Sequence, residues 1–190
     1  MNYQTTKEVE LACIKHVWNG GSYLVIPNVK DGFFRKREAD LLIITPSNYL
    51  FEIEIKISMA DLKKDGQKKL LPQDIYSNDL RIKKKIFAIP EEMFNRHEDK
   101  IVKLLPDYAG LWVVKKSGGY VVEKLKAKNK VNACKLSDKE KSILMRLGCL
   151  RLWGIKKKSV AIDRIKKDIK KVLKGEDVEI LRQYVEKKNY

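Results

Sequence analysis

The sequence predicts an α/β fold in which helices cover both faces of a mixed sheet. Two apolar runs, "LLII" at 41–44 and "IFAI" at 86–89, are typical of strands that are covered on both sides. The segment "FEIEIKIS" at 51–58 alternates apolar and polar residues, which predicts a strand with one charged face. Segments with helical periodicity separate these strands, and this order indicates helices packed against a sheet.

The remaining elements follow from local signals along the chain. Thr6 can cap a first helix, which Gly20-Gly21 would end, and Pro46-Ser47-Asn48 has the composition of a tight turn between two strands. In chain order we predict a helix from Thr6 to about 19, a strand at 23–29, and two strands within 37–58 on either side of the turn. A helix follows Ser58 and reaches Leu70 or Leu71, and then come a strand at 84–90, a helix over 91–105 and a hairpin over 109–125.

The chain divides by composition into a core over residues 1–129 and a basic C-terminal region over residues 130–190. Residues 126–136 are polar and resemble a linker, and helical periodicity follows over 138–153, 159–174 and 177–188. Three interpretations of this helical region stay open. It extends a DNA-binding surface, it pairs with a second subunit to form a homodimer, or it caps the core.

The charge balance points to a polyanionic partner. The formal net charge is +16, and residues 130–190 contain 18 Lys and Arg against 8 Asp and Glu. Nucleic acid is the first partner that such an excess predicts, and an anionic membrane surface is the second. The three scattered cysteines form neither a disulfide framework nor a CxxC motif, which predicts a reducing, cytoplasmic location. Apolar runs are too short to span a membrane, so we expect a soluble protein.

The turn at residues 46–48 sets which residues of its two strands lie opposite each other. If the turn is a three-residue loop, the numbers of opposed residues add up to 94, and Asp40 lies opposite Glu54. Opposed side chains are about 5 Å apart, and two carboxylates so placed repel each other. A hard cation such as Mg²⁺, which binds one or two carboxylates together with waters and phosphates, would relieve this repulsion. Lys56 lies on the same face, where its ammonium group can hold a water molecule and offset charge on a phosphate.

The spacing around these residues resembles the signature of the PD-(D/E)xK nuclease superfamily. Asp40 is followed by thirteen residues and then by Glu54-Ile55-Lys56, while Ala39 stands where the signature has proline. The segment "EIKISMADLKKDGQKK" is also similar to MmcB-type DNA-repair proteins and to related phage proteins. The resemblance spans residues 6–125, and it implies a restriction-endonuclease-like αβα core followed by a C-terminal helical appendage.

The resemblance also implies an activity and its residues. Asp40, Glu54 and the Ile55 carbonyl would bind Mg²⁺, with Mn²⁺ as a substitute, and Lys56 would position the attacking water. A glutamate of the first helix would complete the site, and Glu8 is chosen over Glu10. The expected function is phosphodiester hydrolysis, in DNA more than RNA, during DNA repair, recombination or phage DNA processing. The alternative is a DNA-binding repair module that has this fold and does not cleave.

Further residues are candidates for binding nucleic acid. The segment "KDGFFRKR" at 30–37 places two aromatic residues beside three cations, a combination that suits base stacking and phosphate contacts. An equal alternative is that the two phenylalanines pack on the core. The candidates are Phe33, Phe34, Arg35, Lys36, Arg37 and, on the helix after Ser58, Lys68. By contrast, Glu52 and the lysine runs at 81–85 and 155–159 are expected to be solvated.

Overall fold

A computed structural model of the protein describes residues 4–19, 21, 23–29, 39–67, 81–117 and 119–173. The strands in these ranges are β1 (Leu24–Val29), β2 (Ala39–Ile44), β3 (Leu50–Ile55), β4 (Ile82–Pro90), β5 (Gly110–Val114) and β6 (Val121–Leu125). The helices are α1 (Thr6–Asn19), α2 (Met59–Gln67), α3 (Glu91–Leu104) and α4 (Asp138–Leu173). The α/β class predicted from the sequence is confirmed.

The strands form one mixed sheet in the order β1-β2-β3-β4-β5-β6. The pairs β1–β2, β2–β3 and β5–β6 are antiparallel, whereas β3–β4 and β4–β5 are parallel. Parallel neighbours require a crossover connection. The connections here contain α2 between β3 and β4, and α3 between β4 and β5.

Helix α1 covers one face of the sheet. Its Val9 and Cys13 are four residues apart, so they lie on the same side of the helix. Both belong to a buried cluster with Ile43, Ile53 and Ile86, which lie on three neighbouring strands. The burial of this face explains why the middle strands have apolar residues at these alternate positions.

The opposite face is covered in two places. Phe87 of β4 belongs to a buried cluster with Met93 and Ile101 of α3. Leu42 of β2 belongs to a second cluster, which includes Leu144 from the first part of α4. The prediction that helices cover both faces is therefore confirmed.

The connection between β2 and β3 is the predicted three-residue loop. The Thr45 N–H donates to the Tyr49 carbonyl at 2.9 Å, and the Asn48 N–H donates to the Thr45 carbonyl at 2.9 Å. The Tyr49 N–H donates to the Thr45 hydroxyl oxygen at 2.9 Å. Asn48 has a positive φ of 63°, a conformation that asparagine tolerates better than most residues.

The C-terminal region differs from the prediction. The sequence predicted two helices separated at residues 154–158. This prediction was wrong, because helix α4 runs unbroken through those residues. Gly154 costs the helix about 1 kcal/mol, but the segment has no proline and its lysines favour helix. Ser137 and Glu140 begin the helix with a reciprocal cap, in which the Ser137 N–H donates to the Glu140 carboxylate at 2.8 Å. The helix predicted over 177–188 lies outside the described residues.

The chain packs as two compact units, residues 1–148 and residues 149–190. This boundary lies later than the one expected after residue 129. Leu136 and Leu144 explain the difference, because both are buried in the core of the first unit. In the described part of the chain, no helix combines the length and apolar character that crossing a membrane requires.

Gly110, at the start of β5, is closely packed against Ala127. A Cβ on this residue would lie 2.9 Å from the Cβ and 2.9 Å from the backbone nitrogen of Ala127, so backbone atoms would have to shift. We expect Gly110→Ala to lower the free energy of unfolding by roughly 1–3 kcal/mol, measured by urea denaturation. Gly154→Ala is the control. A Cβ there meets no atom within 4 Å, and replacing a glycine inside a helix should raise the free energy of unfolding. Equal stability of the two variants would contradict this packing.

Candidate active site

The register of β2 and β3 brings Asp40 and Glu54 to the same end of the sheet. Leu41 pairs with Ile53 and Leu42 pairs with Glu52, so the numbers of paired residues add up to 94. This is the predicted register. Continued by one residue, it places Asp40 beside Glu54, and the two side chains point to the same face because side chains alternate along a strand.

Asp40 is held in place by the backbone of β3. Its Oδ2 accepts a hydrogen bond from the Ile55 N–H at 2.7 Å, and the side chain is half-buried. Ile55 itself is buried in the α1 cluster. The hydrogen bond therefore ties the Asp40 carboxylate to the end of the neighbouring strand, one residue after Glu54.

Glu54 is buried between two lysines. Its Oε2 lies 3.4 Å from the Lys56 Nζ, and its Oε1 lies 3.7 Å from the Lys85 Nζ. Burial raises the pKa of Glu54 to about 7, and a hydrogen bond with Glu52 adds to the increase. The positive charges of Lys85 and Lys56 act in the opposite direction. The carboxyl group thus changes charge near neutral pH.

Lys56 lies where the sequence predicted it, on the face of Glu54. Only 8 % of the residue is exposed, and its backbone N–H donates to the Ala88 carbonyl at 2.9 Å. Asp61, in the first turn of α2, lies 3.9 Å from the Lys56 Nζ. The ammonium group is therefore fixed by both strand β3 and helix α2.

Glu52 and Lys85 are buried beside Glu54 and are further functional candidates. Both were expected to be solvated, and that expectation was wrong: Glu52 is 0 % exposed and Lys85 is 3 % exposed. They are paired neighbours on β3 and β4, with 3.5 Å between the Glu52 Oε1 and the Lys85 Nζ. The pattern of β4 carries a weak signal for this, because Lys85 adjoins the apolar run at 86–89 and cannot be exposed if both faces of that strand are covered.

Glu8, the glutamate of α1 that was chosen from the sequence, takes part in the cap of its own helix. Glu8 is exposed, and its Oε2 accepts hydrogen bonds from the Thr5 N–H at 2.6 Å and the Thr5 hydroxyl at 2.9 Å. These bonds lower the pKa of Glu8 and make Thr5, rather than Thr6, the cap of α1. Glu10 is half-buried, and its pKa is raised by burial and by the negative charge of Asp40. Glu10 is therefore the glutamate of α1 that acts electrostatically on the candidate site.

The structure does not describe the residues that were predicted to contact nucleic acid. Phe33, Phe34, Arg35, Lys36, Arg37 and Lys68 are outside the described residues. Within the ranges that are described, no group of three or more His, Cys, Asp or Glu side chains is arranged to hold a metal ion. The site therefore offers a pair of carboxylates, Asp40 and Glu54, rather than a closed set of protein ligands.

Comparisons with other proteins bear on the fold. The chain is similar to a solved structure from Silicibacter pomeroyi, the SPO1766 protein of unknown function. The TM-score is 0.55 over 80 % of this chain and 88 % of that chain, at 16 % sequence identity. The two proteins share a fold. Neither a protein-family model nor a curated protein sequence matches the chain.

The raised pKa of Glu54 has a consequence for stability. Between about pH 4.5 and 7 the folded protein binds more protons at this residue than the unfolded chain does, so the free energy of unfolding falls as pH rises through this window. We expect Glu54→Gln to lose this dependence, which amounts to roughly 3 kcal/mol or less between pH 5 and 8. Urea denaturation across that range measures the difference, with Glu98→Gln on the exposed side of α3 as control. A parent and a Glu54→Gln variant with parallel pH profiles would contradict the assignment.

The buried pair Glu52–Lys85 can be tested by a double-mutant cycle. Lys85→Met leaves the Glu52 carboxylate buried beside an apolar group, so we expect the free energy of unfolding at pH 7.5 to fall by about 3–5 kcal/mol. Glu52→Leu/Lys85→Met removes both charges at similar volume, and we expect it to be more stable than Lys85→Met alone. A double variant that is as unstable as the sum of the two single variants would show that the two residues do not interact.

Proposed function

We propose that the protein is a Mg²⁺-dependent nuclease of the PD-(D/E)xK type that hydrolyses phosphodiester bonds, in DNA more than in RNA. The observation that carries the proposal is the register of β2 and β3, which brings Asp40 to Glu54 and Lys56. Two carboxylates beside a buried ammonium group at one end of a mixed sheet are the groups that such hydrolysis needs.

The residues present fit a magnesium ion. Asp40 and Glu54 supply oxygen ligands, and Mg²⁺ commonly uses one or two carboxylates while keeping waters and substrate phosphates as its other ligands. The pKa of about 7 for Glu54 means that burial and Glu52 outweigh the two lysines. A divalent cation would favour the charged carboxylate. When bound, such an ion supplies a Lewis acid that acidifies a water molecule and withdraws charge from the phosphate.

The protein's own groups have separate roles in this proposal. Asp40, held by the Ile55 N–H, keeps one side of the site fixed, and the Ile55 carbonyl stays a predicted ligand of the ion. The Lys56 ammonium group, 3.4 Å from Glu54, orients the attacking water and offsets charge that develops on the phosphate. Glu10 adds negative charge from α1 and replaces Glu8 in the set of candidate residues.

The wider properties of the chain support nucleic acid as the partner. A net charge of +16 attracts phosphate backbones. The resemblance to DNA-repair and phage proteins favours DNA and a role in repair, recombination or phage DNA processing. All three cysteines are free thiols, which fits a reducing cytoplasmic location.

A second candidate function rests on a different observation. The two buried glutamates at the end of β3 already have cationic partners, because Glu52 lies beside Lys85 and Glu54 lies beside Lys85 and Lys56. Within the described residues no group of three acids is arranged to hold a metal ion. Buried carboxyl groups that are paired with lysines without a metal ion fit a DNA-binding repair module that does not cleave. This candidate predicts salt-sensitive DNA binding and no hydrolysis with any divalent ion.

The nuclease proposal is tested by two substitutions in the site. We expect Asp40→Asn and Lys56→Ala each to lower Mg²⁺-dependent cleavage of labelled DNA by at least about 100-fold, because each removes a group that acts on the reacting atoms. Asp107→Asn and Lys128→Ala are the matched controls, since both side chains are exposed and form an ion pair away from the sheet end. A panel of single-stranded, duplex, flapped and RNA substrates defines the preference.

The same assay separates the two glutamates of α1. We expect Glu10→Gln to reduce cleavage, whereas Glu8→Gln loses only the helix cap and keeps its activity. Variants at Asp40 and Lys56 that cut as fast as the parent would refute the site. A parent that binds DNA and cuts no substrate with Mg²⁺ or Mn²⁺ would favour the second candidate.

A further inference from the structure

One side of helix α4 combines an exposed tryptophan with a row of cations. Trp153, Lys156, Lys157, Val160 and Arg164 recur at helical spacing and therefore share one side of the helix. Together with Ala161 they line a groove of about 390 Å³ within the second unit of the chain. We call these six residues the Trp153 groove.

The positive charge of the Trp153 groove indicates an anionic ligand. Its described lining residues include three cations and no carboxylate. Over residues 149–173 the sequence has nine Lys and Arg against two Asp, so the surrounding potential is also positive. A polyanion complements this surface, whereas a second copy of the same positively charged segment does not.

The exposed ring of Trp153 indicates that the polyanion also has flat apolar groups. The residue is 61 % exposed, although tryptophan normally buries most of its large surface. Unpaired bases stack on exposed aromatic rings, and neighbouring cations bind the phosphates of the same strand. Bases in a duplex are stacked on each other and do not offer this contact.

The dimensions of the groove suit a short single strand. Trp153 and Arg164 are eleven residues apart, which corresponds to about 16 Å along the helix axis. A short single strand of a few nucleotides spans that length, and proteins that bind single strands use sites of a few nucleotides or more. Lys156 and Lys157 lie between the two ends, one turn from the tryptophan.

The apolar residues of the same helix lie on another side. Ile155, Ile162, Ile165 and Ile169 form their own stripe, and at 100° per residue this stripe is nearly opposite the groove. The cations of the groove are thus separated from the isoleucines. Other cations of the helix, including Lys158 and Lys166, lie beside the isoleucine stripe, so binding to an anionic membrane is one of the outcomes that the test distinguishes.

We infer that the Trp153 groove is a binding site for single-stranded nucleic acid, with base stacking on Trp153 and phosphate contacts from Lys156, Lys157 and Arg164. The inference deepens the proposed function, because it names a part of the chain that holds the substrate. Binding at this groove does not require the carboxylates of the candidate active site, so the two proposals succeed or fail separately.

The test measures binding of the full chain to a fluorescein-labelled single-stranded 20-nucleotide DNA by anisotropy, in EDTA so that no cleavage occurs. We expect Trp153→Ala to weaken binding about tenfold, the scale of one lost base stack. Trp18→Phe is the control, since Trp18 is 73 % exposed on α1, and we expect its affinity to equal that of the parent. The Trp18→Phe protein keeps the buried Trp112 and the exposed Trp153, and DNA should quench the part of the fluorescence that Trp153→Ala removes.

The contribution of the cations is tested by two variants that lose the same charge. Lys156→Gln/Lys157→Gln should flatten the plot of log affinity against log salt by about 1.4, since each lost phosphate contact changes the slope for a single strand by about 0.7. Lys158→Gln/Lys166→Gln lies on other sides of the same helix and should leave the slope nearly unchanged. Asp40→Asn should bind as the parent does, which separates a failed active site from a failed groove.

Three results would overturn the inference. The first is Trp153→Ala binding with parental affinity, and the second is equal loss in the two double-lysine variants. The third is a Trp153→Ala variant that loses only its binding to phosphatidylserine vesicles or its self-association in sedimentation velocity, which would assign the groove to a membrane or to a second copy. Circular dichroism confirms that each variant is folded, as expected for exposed positions.

Discussion

The contact between Glu52 and Lys85 is the interaction on which the site depends. A carboxylate with no solvent exposure is strongly unfavourable unless a cation is beside it, and Lys85 provides that cation from the neighbouring parallel strand. The requirement specifies the alignment of β3 with β4. Because Lys85 also contacts Glu54, the same alignment positions the second carboxylate, and Lys56 then completes the row from the other side. One buried ion pair thus connects the stability of the sheet to the chemistry at its end.

Helices α1 and α2 both contribute to this arrangement. Helix α1 covers the apolar face behind the site and presents Glu10 toward Asp40, while the Thr5–Glu8 cap fixes where the helix begins. Helix α2 contributes Asp61, whose carboxylate lies near the Lys56 ammonium group. The charged groups at the end of β3 therefore interact with side chains from the strands on both sides, β2 and β4, and from the helices α1 and α2. This explains how several ionised side chains remain close together in a region of low exposure.

Much of the fold and half of the site follow from the sequence. Alternation and apolar runs predicted the strands, and the three-residue loop at 46–48 fixed the register that brings Asp40 to Glu54. Lys85 and Glu52 were not predicted, because an alternating charge on a strand is usually solvated and only the packing of α4 and α3 on that face decides otherwise. The choice between Glu8 and Glu10 could not be made from the sequence for a related reason: two acids in the first turns of a helix are equivalent in sequence, and only the direction of the helix over the sheet separates them. Helix α4 was divided near Gly154, but the neighbouring residues, including three consecutive lysines, favour helix enough to continue it.

The short loop between β2 and β3 makes the candidate site sensitive to insertions. Each strand presents its polar and apolar residues alternately, so one inserted residue in the loop would turn Ile53 and Ile55 toward the charged face and the two glutamates toward α1. Asp40 would lose its donor at the Ile55 N–H in the same step. Substitutions at Pro46 and Ser47, which are exposed, leave the alignment intact. The position of the candidate site therefore depends on the length of this loop and not on the side chains of Pro46 and Ser47.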